Sequence, residues 1–185
     1  MNRQRPHAWM IVYPSKRQFW PLEPDPADVE IEDIAHHLSL ICRYGGGVAG
    51  MYSVAEHSVL VGSKAGVYGL LHDAAEAYIG DMIRPLKREP EFAFYREVDD
   101  RLQEVIYEAL GLPSPDSATR AAVKLADNRV MFNERDQIHH DERDWGATHE
   151  PYPDMQIECW NSAYAEFRFL EEWARLRPKR NYGVS

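Results

Sequence analysis

The sequence predicts an all-α fold with a small irregular or hairpin-like segment at its N-terminus. Long stretches between about residues 33 and 176 carry apolar residues at helical spacing, and capping residues or glycines mark many of their ends. Short runs typical of strands occur only near the N-terminus. The 185 residues contain no repeat and no low-complexity linker, so we expect one domain with one core over residues 1–185.

The first part of the chain predicts a hairpin and two helices. AWMIV and RQFWPL are predicted as short strands joined by a turn at PSK. Asp33 follows an acidic, proline-rich loop and is predicted to cap a helix that runs through IAHHLSLICRY and ends at YGGGVAG. Ser53 and Glu56 match a capping box, which begins a second helix that continues toward Gly66.

The rest of the chain predicts further helices. A third helix is expected over YGLLHDAAEAYIG, with Gly80 at its end. A short helix over DMIRPLK follows, and Pro85 is expected to interrupt it. Three longer helices complete the prediction, at about 90–110, 117–137 and 155–176.

Charge and composition exclude several classes of function. The formal net charge is −9 at pH 7, and so acidic a surface repels a phosphate backbone, which argues against a nucleic-acid polymer as partner. No apolar run reaches the roughly 18 residues of a membrane span, and the N-terminus lacks the apolar core of a secretory signal. Cys42 and Cys159 form no CxxC motif and no disulfide framework, so we expect idle thiols in a reducing cytoplasm.

The segment LLHDAAEAY places three ionisable side chains among apolar or small residues. On a helix, His72 and Glu76 would share a face and Asp73 would project about 100° away. Such groups are costly to bury unless they pair or bind a ligand. Taken alone, the pattern is equally consistent with a buried hydrogen bond between His72 and Asp73, with Glu76 on a solvated edge of the helix.

Two distant segments favour a metal site. YSVAEHSVLV contains His57 and AAVKLADNRV contains Asp127, and each is a metal-ligating residue type in a segment that otherwise predicts core. Two imidazoles and two carboxylates form a mixed nitrogen and oxygen site with positions left for water and substrate. The sequence therefore predicts one divalent metal ion (Zn, Co, Mn, Fe, Ni or Mg) held by His57, His72, Asp73 and Asp127.

These motifs resemble the HD-domain superfamily of metal-dependent phosphohydrolases. His57, the adjacent His72–Asp73 pair and Asp127 look like its H…HD…D pattern. CRYGG, SVAEHS, LLHDAAEAYIGD and RPLK, in that order, resemble its 5'-deoxynucleotidase-like branch, and phage-type HD phosphohydrolases, including dATP triphosphohydrolases, look similar too. The resemblance covers about residues 18–135, with the core motifs at about 33–135, and implies an HD-domain helical bundle.

The resemblance also implies roles for the surrounding residues. Glu76 and Asp81 would be the acid/base and water-orienting carboxylates. Arg43 and Lys87 would contact phosphate, and Tyr44 would border the nucleoside, where relatives often have another aromatic residue. The plainer alternatives are that Asp81 caps the next helix and that Arg43 and Lys87 are ordinary exposed cations.

The expected activity is hydrolysis of the phosphate ester of a small (deoxy)nucleotide. A monophosphate would release nucleoside and phosphate, and a triphosphate such as dATP would release nucleoside and triphosphate. The alternatives are hydrolysis of another small phosphoester and a non-catalytic helical module with a structural metal. The resemblance further implies a cytoplasmic homo-oligomer, dimeric or larger, in a bacterial or phage-infected cell.

Several other residues are expected to lie outside the site. His140–Asp141 is a second HD dipeptide and predicts a solvated helix end. In the adjacent pair His36–His37, we expect one ring to face the core and one to face solvent. His7 and His149 lie in loop-like sequence. The Trp and Phe residues of 160–173 predict core packing.

Overall fold

A computed structural model describes residues 8–141, 143, 145–146 and 149–178 of the chain, so His7 lies outside the described residues. Within them, seven α-helices and one two-stranded sheet confirm the predicted all-α class. The helices are α1 Ile31–Leu40, α2 Val54–Leu70, α3 Glu76–Ile79, α4 Arg84–Lys87, α5 Ala93–Ala109, α6 Ser117–Glu134 and α7 Ser162–Leu176. None of the described helices is long and apolar enough to cross a membrane.

The predicted N-terminal hairpin is confirmed. Strands β1 (Met10–Ile11) and β2 (Gln18–Phe19) pair antiparallel, with Met10 opposite Phe19. Phe19 is fully buried and stacks on Tyr78 with ring centroids 3.9 Å apart. The hairpin therefore contributes an aromatic ring to the core of the helical bundle.

Helix α1 begins earlier and ends earlier than predicted. Its N-cap is Glu30, whereas Asp33 lies inside the helix and accepts hydrogen bonds from the Ser15 N–H at 2.8 Å and the Ser15 hydroxyl at 2.6 Å. The prediction that Asp33 caps this helix was therefore wrong, because its carboxylate ties the hairpin to α1. After Leu40 the chain becomes extended, and Cys42 forms an isolated antiparallel bridge with Ser53.

Ser53 is the N-cap of α2, as predicted, and its hydroxyl accepts from the Glu56 N–H at 3.1 Å. Glu56 does not complete the capping box. Its buried carboxylate instead accepts backbone N–H groups at 2.7–3.1 Å from the distant segment 158–160. Helix α2 also continues past Gly66, where the backbone is kinked at φ +69°, as far as Leu70.

The predicted helix over residues 68–80 is not continuous, and this part of the prediction was wrong. Residues 71–75 are turns between α2 and the short α3. Several hydrogen bonds in this stretch reach back three residues rather than four, as from the Ala74 N–H to the Leu71 carbonyl (3.0 Å) and from the Glu76 N–H to the Asp73 carbonyl (3.1 Å). His72 and Asp73 therefore lie in a tight turn, and the helical-face argument for this segment does not apply. Helix α3 ends at Gly80 as predicted.

Two further boundaries differ from the predictions. Pro85 lies in the first turn of α4 instead of interrupting the helix, a position where its missing N–H is not needed. Helix α7 begins at Ser162, after an Asn161 cap whose side chain accepts from the Tyr164 N–H at 3.0 Å. The predicted helices at about 90–110 and 117–137 correspond to α5 and α6, and the latter ends in a π-helical turn over Arg135–His139.

The core lies between α2 and its neighbours. Helix α2 packs against α6 and α7, and α1 packs against α7. Trp160, Phe169 and Trp173 are buried, as predicted for this aromatic segment, although Phe167 is 57% exposed. This packing brings the first turn of α2, the turn after α2 and the middle of α6 to one place.

Candidate metal centre and its cavity

Three of the predicted metal ligands meet at the junction of α2, the turn after it and α6. The Nε2 atom of His57 lies 3.2 Å from Nε2 of His72 and 3.4 Å from Oδ1 of Asp127. One ligand atom from each of these residues lies within 4.8 Å of the other two. This group could bind a metal ion.

Asp73, the fourth predicted ligand, lies beside this group. Its Oδ2 atom is 3.2 Å from Nε2 of His72 and 3.6 Å from Nε2 of His57. A guanidinium nitrogen of Arg43 contacts the same oxygen at 3.5 Å. The structure therefore brings together all four residues that the sequence suggested, although they come from segments as far as 70 residues apart.

Hydrogen bonds at the far sides of the two imidazoles fix the lone pairs that point into the group. Nδ1 of His72 lies 2.8 Å from the Gly69 carbonyl, which can only accept, so Nδ1 carries a proton. Nδ1 of His57 lies 2.7 Å from a carboxylate oxygen of Glu134 and donates in the same way. In the neutral rings, both Nε2 lone pairs therefore converge with the carboxylate oxygens. Such a donor set fits a divalent cation.

The electrostatics of the group favour positive charge at its centre. Burial and the nearby Arg43 lower the pKa of His57, but Glu134 and Asp127 outweigh them and raise it to about 9. Burial acts to raise the pKa of Asp73, yet the two histidines and Arg43 hold it well below its usual range. Asp127 follows the same pattern, so both carboxyl groups stay ionised.

Glu134, at the end of α6, is the central residue that sequence reasoning missed. It is fully buried and accepts hydrogen bonds from His57, from the Tyr52 hydroxyl at 2.8 Å, from Arg43 at 3.3 Å and from the Tyr44 hydroxyl. Burial raises its pKa, but Arg43 and His57 outweigh that effect and lower it to about 2. One signal was available, because Glu134 follows Asp127 by seven residues, about two helical turns, and so shares its side of α6.

Arg43 is not an ordinary exposed cation, and that alternative was wrong. Only 8% of its surface is exposed, and its guanidinium lies between Glu134 and Asp73. It follows α1 in a short 3-10 turn that continues into positive-φ residues at Tyr44 and Gly45. This turn holds Arg43 and Tyr44 at the wall of the cavity beside the metal-ligand group.

Glu76 and Asp81 add two carboxyl groups near the candidate ligands. Glu76 is 4% exposed, and among the described residues its Oε2 atom has no hydrogen-bond partner. Burial and the charges of Asp73 and Asp81 raise the pKa of Glu76 well above its usual range. Asp81 is half-buried, and burial raises its pKa too. The N-cap of α4 is Ile83, so the alternative that Asp81 caps this helix was wrong.

Lys87 is paired with carboxylates. Its Nζ atom lies 2.6 Å from Oδ2 of Asp99 on α5 and 3.7 Å from Oε1 of Glu76. Burial acts to lower the pKa of Lys87, but Asp99 and Glu76 outweigh this effect and raise the pKa above its usual value, so the side chain stays charged. Asp99 is a second residue that the sequence did not reveal, because only the fold brings α5 beside α4.

A cavity of about 1030 Å³ opens onto this group. Seven of the nine predicted site residues line it: Arg43, Tyr44, Asp73, Glu76, Asp81, Lys87 and Asp127. His72 lines a smaller cavity of about 300 Å³, which shares Asp73 and Asp127 with the larger one. His57 is fully buried and lines neither of these cavities.

The outer wall of the larger cavity is aromatic. The Tyr44 ring contacts His139 edge-on at 4.4 Å and Trp145 at 6.2 Å between centroids. Asp141 also lines this cavity and accepts from the Trp145 indole N–H at 3.0 Å. The expectation of a solvated helix end holds for the exposed His140 but was wrong for Asp141.

The other adjacent histidines serve the fold. Nδ1 of His36 lies 2.9 Å from Oε2 of Glu166, and Nδ1 of His37 lies 2.7 Å from the Ala77 carbonyl. Both rings are half-buried, so the expectation that one faces the core and one faces solvent was wrong. The His149 ring contacts the Phe132 ring edge-on, with centroids 5.9 Å apart.

Comparison with known proteins gives two relatives of similar length. No protein-family model matches the chain. It is 41% identical over 145 residues to an uncharacterized protein of Rhodobacter capsulatus, over 71% of this chain and 73% of the relative. It is 36% identical over 135 residues to the uncharacterized protein YfdR of Escherichia coli, over 70% of this chain and 72% of that relative.

Proposed function

We propose that this chain, which belongs to the same family as the Rhodobacter capsulatus and Escherichia coli proteins, is a metal-dependent phosphohydrolase of the HD-domain type. Its proposed substrate is the phosphate ester of a small (deoxy)nucleotide. One observation carries the proposal: four acceptor groups converge beside a cavity that two further carboxyl groups, Glu76 and Asp81, also line. The sequence motifs that resemble the HD superfamily contribute these same residues.

The proposed cofactor is one divalent ion held by His57, His72, Asp73 and Asp127. Two imidazole nitrogens and two carboxylates suit Mn, Fe, Co, Ni or Zn better than they suit Mg, which prefers all-oxygen surroundings. When bound, such an ion would neutralise phosphoryl oxygens and lower the pKa of water. The lone pairs that Gly69 and Glu134 direct inward support this assignment, because in the described part of the chain the polar contacts of the two Nε2 atoms are with each other and with carboxylate oxygens of Asp73 and Asp127.

Glu76 and Asp81 are the proposed catalytic carboxyl groups. Burial keeps Glu76 biased toward its protonated form, which suits a proton donor to the leaving oxygen of an ester. Asp81 follows Gly80, whose φ of +79° redirects the chain toward the cavity, and its carboxylate would orient the attacking water. A metal site that served structure alone would have no use for a buried carboxyl oxygen without a partner.

Cations around the same cavity support an anionic ligand despite the net charge of −9. Arg43 and Lys87 are the proposed phosphate contacts. Lys124 and Arg84 also line the cavity, with nitrogens 2.7 Å and 3.9 Å from Oδ2 of Asp127. Local positive charge of this kind can neutralise phosphate oxygens where the protein as a whole would repel them.

The aromatic wall is the proposed place for the nucleoside. Tyr44 contacts both His139 and Trp145, so these rings form one aromatic part of the cavity lining. A planar base stacks well on such rings, whatever its hydrogen-bonding edge. The wall thus suits a nucleotide better than a phosphoester without a ring.

The proposal is tested by incubating metal-loaded protein with panels of deoxynucleoside monophosphates and triphosphates and identifying the released anion. We expect nucleoside together with phosphate from a monophosphate or triphosphate from a triphosphate. The matched control is Asp127→Asn, which keeps the shape of a proposed ligand and removes its charge. This variant should release neither phosphate nor triphosphate. The absence of hydrolysis of every nucleotide with Mn, Co, Zn and Mg would refute the proposal.

A further inference from the structure

We propose that Glu134 is a positioning residue that orients His57 for the metal ion and, with its other oxygen, anchors the substrate wall of the same cavity. The inference rests on the proposed metal site but not on the identity of the substrate. It concerns a side chain that touches neither the metal position nor, in the proposal, the nucleotide.

The two oxygens of Glu134 bind different imidazole and hydroxyl donors, and the Arg43 guanidinium contacts both, with its Nε atom 3.3 Å from Oε1. Oε1 accepts from Nδ1 of His57 at 2.7 Å and from the Tyr52 hydroxyl at 2.8 Å. Oε2 accepts from Nη2 of Arg43 at 3.3 Å and from the Tyr44 hydroxyl. One carboxylate therefore connects a candidate metal ligand with the two residues that begin the cavity wall.

The contact on His57 differs from the contact on its partner imidazole. Nδ1 of His72 donates to a neutral carbonyl, that of Gly69, whereas Nδ1 of His57 donates to a buried carboxylate. A carboxylate behind an imidazole fixes its tautomer and its ring plane and makes the opposite nitrogen a stronger donor to a metal. Loss of such an outer partner typically weakens metal binding about 10–100-fold.

Packing alone does not account for a glutamate at this place. Glu134 has no exposed surface, and a fully buried carboxylate is destabilising unless its acceptor sites are filled. Here four residues donate hydrogen bonds to the carboxylate. Two of them, Arg43 and Tyr44, line the cavity, and a third, His57, is a proposed metal ligand. An apolar side chain of similar volume would pack at lower cost, but it would take this acceptor from the His57 Nδ1–H and leave the Arg43 guanidinium with Asp73 as its remaining carboxylate contact.

The experiment is a Co²⁺ titration followed by the visible absorption of the bound ion, so that it reports ligand geometry and affinity without turnover. We compare the wild type with Glu134→Gln, which preserves shape and one acceptor oxygen and removes the charge. Tyr52→Phe removes a neutral hydrogen bond to the same Oε1 atom. Asp33→Asn is the matched control, because Asp33 is an equally buried carboxylate that binds Ser15 away from the cavity.

We expect Glu134→Gln to bind Co²⁺ about 10–100-fold more weakly and to change its absorption spectrum. Tyr52→Phe and Asp33→Asn should keep nearly the wild-type affinity and spectrum. Circular dichroism checks folding. Glu134→Asp restores the charge on a shorter side chain and should recover part of the affinity. If Glu134→Gln does not fold, Glu134→Asp takes its place in the comparison with the wild type.

Wild-type affinity and spectrum in a folded Glu134→Gln variant would overturn the inference, and so would an equal loss in Asp33→Asn. Failure of the wild type to bind Co²⁺ would overturn both this inference and the proposed metal site. Normal Co²⁺ binding with the expected variant pattern, but without hydrolysis of any nucleotide, would refute the phosphohydrolase proposal and support the role of Glu134.

Discussion

A divalent metal ion should stabilise this protein measurably against heat. Two imidazole nitrogens 3.2 Å apart, with carboxylate oxygens at 3.2–3.6 Å, present converging acceptors that the native fold holds together and the unfolded chain does not. An ion that binds only the native protein adds about 2.7 kcal/mol at a free concentration of about 100 times its Kd. For a chain of this length, about 1 kcal/mol raises Tm by about 2–4 °C. We therefore expect an increase in Tm of about 5–11 °C.

Differential scanning fluorimetry with Mn²⁺, Co²⁺ or Zn²⁺ against a chelator measures this shift. Asp127→Asn should abolish it, because the substitution removes one charged ligand. Asp33→Asn, which lies in the hairpin contact with Ser15, should retain the full shift even if its own Tm is lower. A wild-type Tm that no metal changes, or a shift in Asp127→Asn equal to that of the wild type, would refute the reasoning.

Three further predictions concern the core, a helix cap and the cavity wall. Phe169→Ala should lower the free energy of unfolding by about 3–5 kcal/mol in urea titrations, because the ring is fully buried; a loss below about 1 kcal/mol would contradict its place in the core. Asp116→Ala should lower Tm at pH 7 and lower it less near pH 3. Hydrogen bonds from Thr119 lower the pKa of Asp116, so its charge stabilises α6 above about pH 4 and this contribution is lost as the pH falls. An equal decrease in Tm at both pH values would refute this prediction. Trp145→Ala should raise KM for the nucleotide and leave Co²⁺ affinity unchanged, and an unchanged KM would remove Trp145 from the proposed nucleoside wall.

The parts of the fold that local chemistry determines were predictable. The hairpin, the Ser53 cap and the amphipathic helices α5 and α6 follow from periodicity and capping residues, which act within a few positions of the chain. The four candidate ligands were predictable for a different reason. Ionisable residues in apolar segments must be compensated, and together they suggested a common ligand.

The remaining features depend on contacts between distant segments. Asp33 was predicted as a helix cap, but it lies inside α1 and binds Ser15 in the turn of the hairpin. The Glu56 carboxylate binds segment 158–160 instead of completing a capping box. A turn carries His72 in place of the predicted helix, and Gln103 of α5 hydrogen-bonds its backbone at Leu71 and Ala75. Glu134 acquires its role only when α6 packs against α2 and the 3-10 turn at Arg43.

The most direct test of the central proposal measures turnover and bound metal together in the wild type and in Glu76→Gln. We predict that the metal-loaded wild type hydrolyses a deoxynucleotide, and that Glu76→Gln retains the same metal content but loses about 10²–10⁴-fold in kcat, as expected for loss of a general acid or base. Wild-type turnover in Glu76→Gln would contradict the assigned role. A fully metal-loaded wild type that hydrolyses no nucleotide would contradict the proposed function itself.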